Sequence, residues 1–274
     1  STLVALDGAK VANGKDFDAA GKAKKGTVVV DQARATSLAA LLSNATFTVR
    51  SVESKPYKSS PKAPFMTSTL QQEGGRKLRL SAAQVMRLAQ GLYERGFITY
   101  MRTDNVSLSE EALAAVRAEV GRIYGDPHLA KPARHYANKV KNAQEAHEAI
   151  RPTTPLRAPE QVAAELNGQE LSLYRLIWQR TLASQMADAT GTTVSVRLGA
   201  SAAEAASKPT DCEFSTAGTT ISFQGYRAVY VESTDEGDGG EESEAQLPAL
   251  KVGDTVPMKA VTPEGHSTSP PARY

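Results

Sequence analysis

Apolar and polar positions change their period along the chain, and the changes mark out its elements. Thr27-Val28-Val29-Val30 is a short β-branched run ending at Asp31, an N-cap for a helix that carries Leu38, Leu41 and Leu42. From Thr46 to Val52 the spacing falls to two, the mark of a half-buried strand. Pro56, Pro61 and Pro64 punctuate Ser54 to Pro64, which reads as a linker and a domain boundary. Helical spacing follows. Thr67 or Ser68 opens a helix through Glu73, and Gly74-Gly75 interrupts it. Ser81 with Gln84 forms a capping box and Leu80 with Val85 the matching hydrophobic staple. Val85, Leu88, Ala89 and Leu92 then form the buried stripe of a helix that stops at Gly96. Ser107 with Glu110 repeats the box ahead of Leu113, Val116 and Val120, and Gly125-Asp126-Pro127 ends that helix. Residues 128–142, with Lys131, Arg134, Lys139 and Lys141, read as a basic loop. Gln144 to Ile150 fits two helical turns, Glu160 to Leu166 a short helix closed by Asn167-Gly168, and Leu171 to Ala187 a longer one with Trp178 in the core.

From Thr190 the period returns to two. Val194, Val196 and Leu198 alternate, then Phe214, then Ile221 and Phe223, then Val229 and Val231, and finally Val256 and Met258. These are strands separated by Gly, Pro and Asp turns. Residues 1–26 mix short apolar pieces with Gly8, Gly14, Gly21 and Gly26 and read as irregular or hairpin-like surface, with Lys22, Lys24 and Lys25 on a solvated turn. The pattern predicts an α+β protein. A helical domain, residues 60–187, is inserted into a mainly β domain made of residues 1–59 and 188–274.

Composition adds bounds. A chain of 274 residues buries a sizeable core and divides naturally into two units. A single cysteine, Cys212, excludes an internal disulfide, reads as a buried strand residue and fits a reducing cytoplasm. No apolar run reaches the roughly 18 residues that a membrane span needs, so a soluble, cytoplasmic chain is expected. The net charge of +2 hides an asymmetry: residues 60–187 carry 17 Lys and Arg against 12 Asp and Glu, and the flanks are net acidic. A basic centre permits a nucleic-acid contact. Glu232 to Glu244 holds seven acids and three glycines and reads as a loop. Acids on such a loop lack the frame that holds Mg²⁺, so no metal is assigned there.

Chemistry gathers at Gly96-Phe97-Ile98-Thr99-Tyr100-Met101-Arg102-Thr103-Asp104-Asn105, between the end of one helix and the start of another. In an extended backbone Tyr100 and Arg102 point to one side and reach one phosphate together. A phenol is a weak nucleophile at neutral pH because it ionises near pH 10. A fixed guanidinium favours the phenolate and stabilises charge on a transferring phosphoryl group. Arg76, Lys77 and Arg79 form a basic strip that either tracks a DNA backbone or is simply a solvated face.

The stretch from Phe97 to Asp104 resembles the active-site signature of type IA DNA topoisomerases. Pro64-Phe65-Met66-Thr67-Ser68-Thr69-Leu70-Gln71-Gln72-Glu73 and Asn142-Ala143-Gln144-Glu145-Ala146-His147-Glu148-Ala149-Ile150-Arg151-Pro152 resemble the same family in the same order, as does the ending Pro270-Pro271-Ala272-Arg273-Tyr274. The resemblance implies that Tyr100 attacks single-stranded DNA, forming a 5′-phosphotyrosine and freeing a 3′ hydroxyl. Strand passage and resealing would then relax DNA without ATP. It implies phosphate stabilisation by Arg102 and a DNA contact from His147. Arg151 is either a DNA contact or, with Asp104 and Glu148, part of an ion pair that supports the site. Asn105 departs from the serine common at its position, and asparagine still caps and hydrogen-bonds.

The family also needs Mg²⁺ on an acidic Toprim domain, and a further domain that completes the DNA groove. Neither is recognisable in this chain, so it reads as a monomeric central portion: a tyrosine-bearing gate and the β arch supporting it. Its partners would be single-stranded DNA and those missing domains, its setting the bacterial nucleoid, and alone it would not relax DNA. Three rivals remain. A tyrosine recombinase would need His-x-x-Arg before its tyrosine, whereas His147-x-x-x-Arg151 follows Tyr100. A non-catalytic single-stranded DNA-binding module and a purely structural interaction domain are the others.

Overall fold

A computed structural model of the chain describes residues 1–18, 20–136, 147–203, 208–231 and 247–265. The acidic stretch 232–244, the ending 270–274 and the first part of the third matched stretch, 142–146, lie outside these residues. The chain divides into two compact units. One comprises Ser1–Pro56, Thr192–Thr220 and Glu242–Tyr274, the other Tyr57–Gly191 and Ile221–Glu241. The topology is α+β.

In the first unit β1 (Thr2–Leu6) and β2 (Ala9–Val11) form a hairpin, and β3 (Thr27–Val28) pairs parallel to β2. Asp7 and Gly8 make the turn with φ of 47° and 78°, conformations that suit Asp and Gly. Helix α1 (Gln32–Leu42) starts at Asp31, whose side chain accepts from the Arg34 N–H, as the pattern predicts. With β4 (Phe47–Ser59), β5 (Ala189–Ala202), β6 (Thr210–Phe223) and β7 (Thr255–Val256), the strands form one seven-stranded sheet in the order β3-β2-β1-β6-β5-β4-β7. Leu6, Leu38, Leu42, Phe47, Val49, Val196, Leu198, Cys212 and Phe214 fill its core. Cys212 is the buried strand residue expected.

The second unit is helical: α2 (Thr67–Leu78), α3 (Ala82–Glu94), α4 (Glu110–Tyr124), α5 (Pro159–Val162) and α6 (Gly168–Ser184). Leu70, Val85, Leu92, Val116, Val120, Leu173, Ile177 and Leu182 are among its core residues, and Trp178 is buried with them. No helix among the described residues is long and apolar enough to cross a membrane.

Several expectations are corrected. The expected linker begins inside β4, which runs through Pro56 to Ser59. Pairing with β7 is confined to Phe47 and Thr48, so on that side Pro56 has no ladder bond to forgo. Gly74-Gly75 does not break α2. A β-carbon on Gly74 would lie 2.6 Å from Val85 Cγ2, so the glycine lets α2 and α3 approach closely. Ser109, not Ser107, caps α4; the Ser107 N–H and hydroxyl both bind Asn105 Oδ1 at 2.8 Å. Asn167 opens α6 by accepting from the Gln169 and Glu170 N–H groups, instead of closing the helix before it.

Residues 147–149 are not helical, because the neighbouring backbone is engaged elsewhere: Ile150 forms a bridge with Phe65, and the Ala149 N–H donates to the Ser107 carbonyl. The strand expected around Val229 and Val231 is instead a 3-10 turn, Gly225–Ala228, which continues by N–H bonds from Val229 and Tyr230 to the Tyr226 carbonyl. Tyr226 and Tyr230 are buried in the helical core.

Candidate active site

The site is assembled where the three matched stretches meet. Helix α3 opens on the expected box: the Gln84 N–H donates to Ser81 Oγ, and the Ser81 N–H to Gln84 Oε1. It ends at Arg95, and Gly96 (φ 75°) turns the chain so that the Phe97 N–H donates back to the Leu92 carbonyl at 2.8 Å. Phe97 is buried with the Arg95 and Arg157 guanidinia each 5.0 Å from its ring. Arg95 pairs with Glu170 at 3.1 Å and Arg157 with Glu165 at 2.8 Å. These contacts anchor the root of the tyrosine loop.

On the N-terminal side of Tyr100, Ile98 bridges Pro152. The Thr99 N–H donates to the Arg151 carbonyl at 2.9 Å, the Thr99 hydroxyl to the Ala149 carbonyl at 2.7 Å, and the Arg151 N–H returns to the Thr99 oxygen at 3.0 Å. On its C-terminal side Thr67 stitches the loop down. Its N–H donates to the Thr103 carbonyl at 2.9 Å, its hydroxyl lies within 3.0 Å of the Met101 and Thr103 carbonyls, and it accepts the Thr103 N–H. The Ile150 N–H donates to the Phe65 carbonyl at 2.8 Å, joining the first stretch to the third. Asn105, buried, donates from Nδ2 to the His147 carbonyl at 2.5 Å. The tyrosine therefore hangs on a short span pinned at Thr99 and Thr103.

Tyr100 is half-buried. Its ring meets Tyr93 at 5.3 Å between centroids and His147, on the third stretch, also at 5.3 Å. The Nδ1 of His147 is buried with no hydrogen-bond partner among the described residues. Arg102 is exposed and makes no ion pair among the described residues. The expected extended geometry is not found: the backbone bends between Thr99 and Arg102, and the two side chains differ in burial. Asp104 is half-buried and makes no ion pair with a described residue.

Arg151 is buried, with Nε 2.5 Å from Glu148 and one terminal nitrogen 2.9 Å from the Pro152 carbonyl. Burial alone would raise the Glu148 carboxyl, but the Arg151 guanidinium and hydrogen bonds from Ser109 hold it below its ordinary range. Arg76 and Lys77 lie in the last turn of α2 and Arg79 just beyond it, all exposed. Arg76 lies 3.4 Å from Glu73, and Lys77 donates to the Val231 carbonyl and sits 4.8 Å over the Tyr230 ring. Arg79 closes the helix with φ 56°. The structure thus brings Tyr100 and His147 together and places the Arg76–Arg79 strip on a different element, the end of α2.

Tyr93, Thr99 and Thr67 belong to the site by tertiary contact. Their signals are weak alone: a tyrosine seven positions before Tyr100, and threonines that look like ordinary loop residues.

A family model described as DNA topoisomerase matches residues 6–274. DNA topoisomerase 1 of Streptomyces coelicolor is 50% identical over 281 residues, covering all of this chain and 29% of that protein. The Mycobacterium tuberculosis protein of the same name is 50% identical over 280 residues, covering 99% of this chain and again 29% of the relative. The full-length topoisomerase I of Thermotoga maritima superposes with a TM-score of 0.62 at 28% identity, over 93% of this chain and 38% of that one. The chain thus spans less than a third of the curated relatives' length. Three matched stretches meeting at one tyrosine, and a match along nearly the whole chain, place it in the type IA DNA topoisomerase family.

Proposed function

We propose that the chain is the tyrosine-bearing part of an enzyme that cleaves and reseals single-stranded DNA. Tyr100 Oη attacks a phosphodiester phosphorus, the bond to the 3′ oxygen breaks, and a 5′-phosphotyrosine forms. The phenol loses a proton and the leaving 3′ oxygen gains one, so the step needs no outside reactant, and the reverse attack reseals the strand without ATP. Arg102 stabilises charge on the phosphoryl group, and its freedom from ion pairing among the described residues leaves its donors available. His147, packed on the Tyr100 ring, hydrogen-bonds a phosphate or backbone group of the strand. Arg76, Lys77 and Arg79 follow the strand's phosphates. Arg151 and Glu148, engaged with each other, hold the frame from behind, and Asp104 supports the loop.

The helical segment 60–187 would serve as the mobile gate, and segments 1–59 and 188–274 as the β arch. Mg²⁺ would be bound by a Toprim domain outside this chain. Among the described residues no group of three or more His, Cys, Asp or Glu side chains is arranged to hold a metal ion.

The observation that carries this reading is the pinning of Tyr100 between Thr99 and Thr103 by residues of the two other matched stretches. A nucleophile gains from such a rigid support. The test is adduct trapping with a labelled single-stranded oligonucleotide in the topoisomerase polypeptide that carries this chain. Tyr100→Phe should abolish the covalent adduct while leaving oligonucleotide binding within about two-fold, because the ring contacts survive. An adduct that persists in Tyr100→Phe would sink the assignment. Binding that persists when no variant, native included, forms an adduct would favour the non-catalytic DNA-binding module.

A further inference from the structure

One aromatic ring beside the nucleophile has no role in this scheme. Tyr93, in the last turn of α3, is 41% exposed, and it meets the Tyr100 ring at an interplanar angle of 69°. Tyr93, Tyr100 and His147 therefore form a row of rings with Tyr100 in the middle. Burial does not explain Tyr93, since it stands outside the core cluster of its unit. Of the large exposed apolar side chains described in that unit, namely Tyr93, Ile123 and Val231, it is the aromatic one.

We infer that Tyr93 is a stacking platform for a nucleobase next to the phosphate that Tyr100 attacks, and so positions the strand for cleavage; this rests on the role proposed for Tyr100. A strand gripped by charge alone slides along its phosphates, because those contacts are alike at every nucleotide. A base laid on an aromatic face stops the sliding, and does so for any base because each has a π-face. Stacked nucleotides rise about 3.4 Å each. The Tyr93 ring is centred 5.3 Å from that of Tyr100, within two such steps, so a base laid on it is a near neighbour of the phosphate that Tyr100 attacks. Arg102, exposed two residues past Tyr100, supplies the charge, and Tyr93 the register.

The contact needs a π-face and not the hydroxyl, which sets the test. Single-stranded oligonucleotides carrying 2-aminopurine at each position around the cleavage point are mixed with the topoisomerase polypeptide that carries this chain. The native protein and Tyr93→Phe should quench the probe at one position beside the cleavage point. Tyr93→Ala and Tyr93→Leu should lose that quenching and raise KM for adduct formation about ten-fold with kcat nearly unchanged; the leucine keeps an apolar contact with Tyr100 but offers no π-face. Quenching that is unchanged at every position in both variants would overturn the inference, as would a fall in kcat alone, which would mean that Tyr93 only braces the Tyr100 ring. Tyr100→Phe keeps the two ideas apart. An adduct in that variant defeats the nucleophile assignment, whereas its loss beside unaltered quenching in Tyr93→Ala defeats the platform alone.

Discussion

The Arg151 side chain is only 10% exposed and directs its donors at Glu148 and at the Pro152 carbonyl, while Arg102 stands in solvent. Two arginines near one tyrosine thus have opposite consequences when removed. Glu148→Gln leaves the Arg151 charge with a poorer partner and should cost about 1–3 kcal/mol at neutral pH, measured by chemical unfolding. The pH dependence has a definite sign. The folded Glu148 carboxyl lies below its ordinary value of 4.5. Its contribution is therefore complete above that value and lost as pH falls through the folded one. The gap between native and variant should narrow below about pH 4; a gap that widens on acidification would refute the pairing. Arg102→Ala, by contrast, should leave stability within about 0.5 kcal/mol, as exposed substitutions do, and act on adduct formation.

Helices α2 and α3 deliver the site's support, and their crossing rests on one missing side chain. At Gly74 a β-carbon would meet Val85 Cγ2 at 2.6 Å, whereas at Gly75 the nearest atom is the Leu80 carbonyl oxygen at 3.5 Å, an ordinary contact. Both glycines are helical, and helix propensity alone favours alanine over glycine by about 0.8–1 kcal/mol. Gly75→Ala should therefore stabilise the chain by up to about 1 kcal/mol. Gly74→Ala should destabilise it by about 1–3 kcal/mol through overpacking, and pairing it with Val85→Ala should recover part of the loss. Equal effects at the two positions in thermal unfolding would show that the crossing is looser than described. The capping box on α3 was legible from Ser81 and Gln84 because it is a local device. The cap of α4 was misassigned by two residues because Ser107 is claimed by Asn105, a competition that spacing does not display.

For the molecule as a whole, partial coverage of its relatives sets the expectation. The chain alone should leave negatively supercoiled plasmid unrelaxed in a gel assay with Mg²⁺, and any ladder of relaxed topoisomers would contradict the division of labour proposed. It should still bind single strands in a salt-dependent manner. Arg79→Gln should lower the slope of log affinity against log salt by about 0.7, the value for one single-strand phosphate contact. An unchanged slope would remove Arg79 from the interface.

The sequence alone determined that the chain is α+β, that helices occupy its centre, and that Tyr100 follows a capped helix, because capping boxes, staples and hydrophobic periods act over a few residues. The resemblance of three stretches reached the family as well. Only the tertiary structure decided how those stretches meet. The side chains of Thr67, Thr99 and Asn105 donate to backbone carbonyls 36 to 52 positions away, and no local pattern encodes a partner at that distance. It likewise decided that Gly74 joins instead of breaks, that β4 runs through Pro56, and that Arg151 faces inward. Each depends on what the rest of the fold brings alongside, so a glycine, a proline or an arginine takes its role from neighbours remote in the chain.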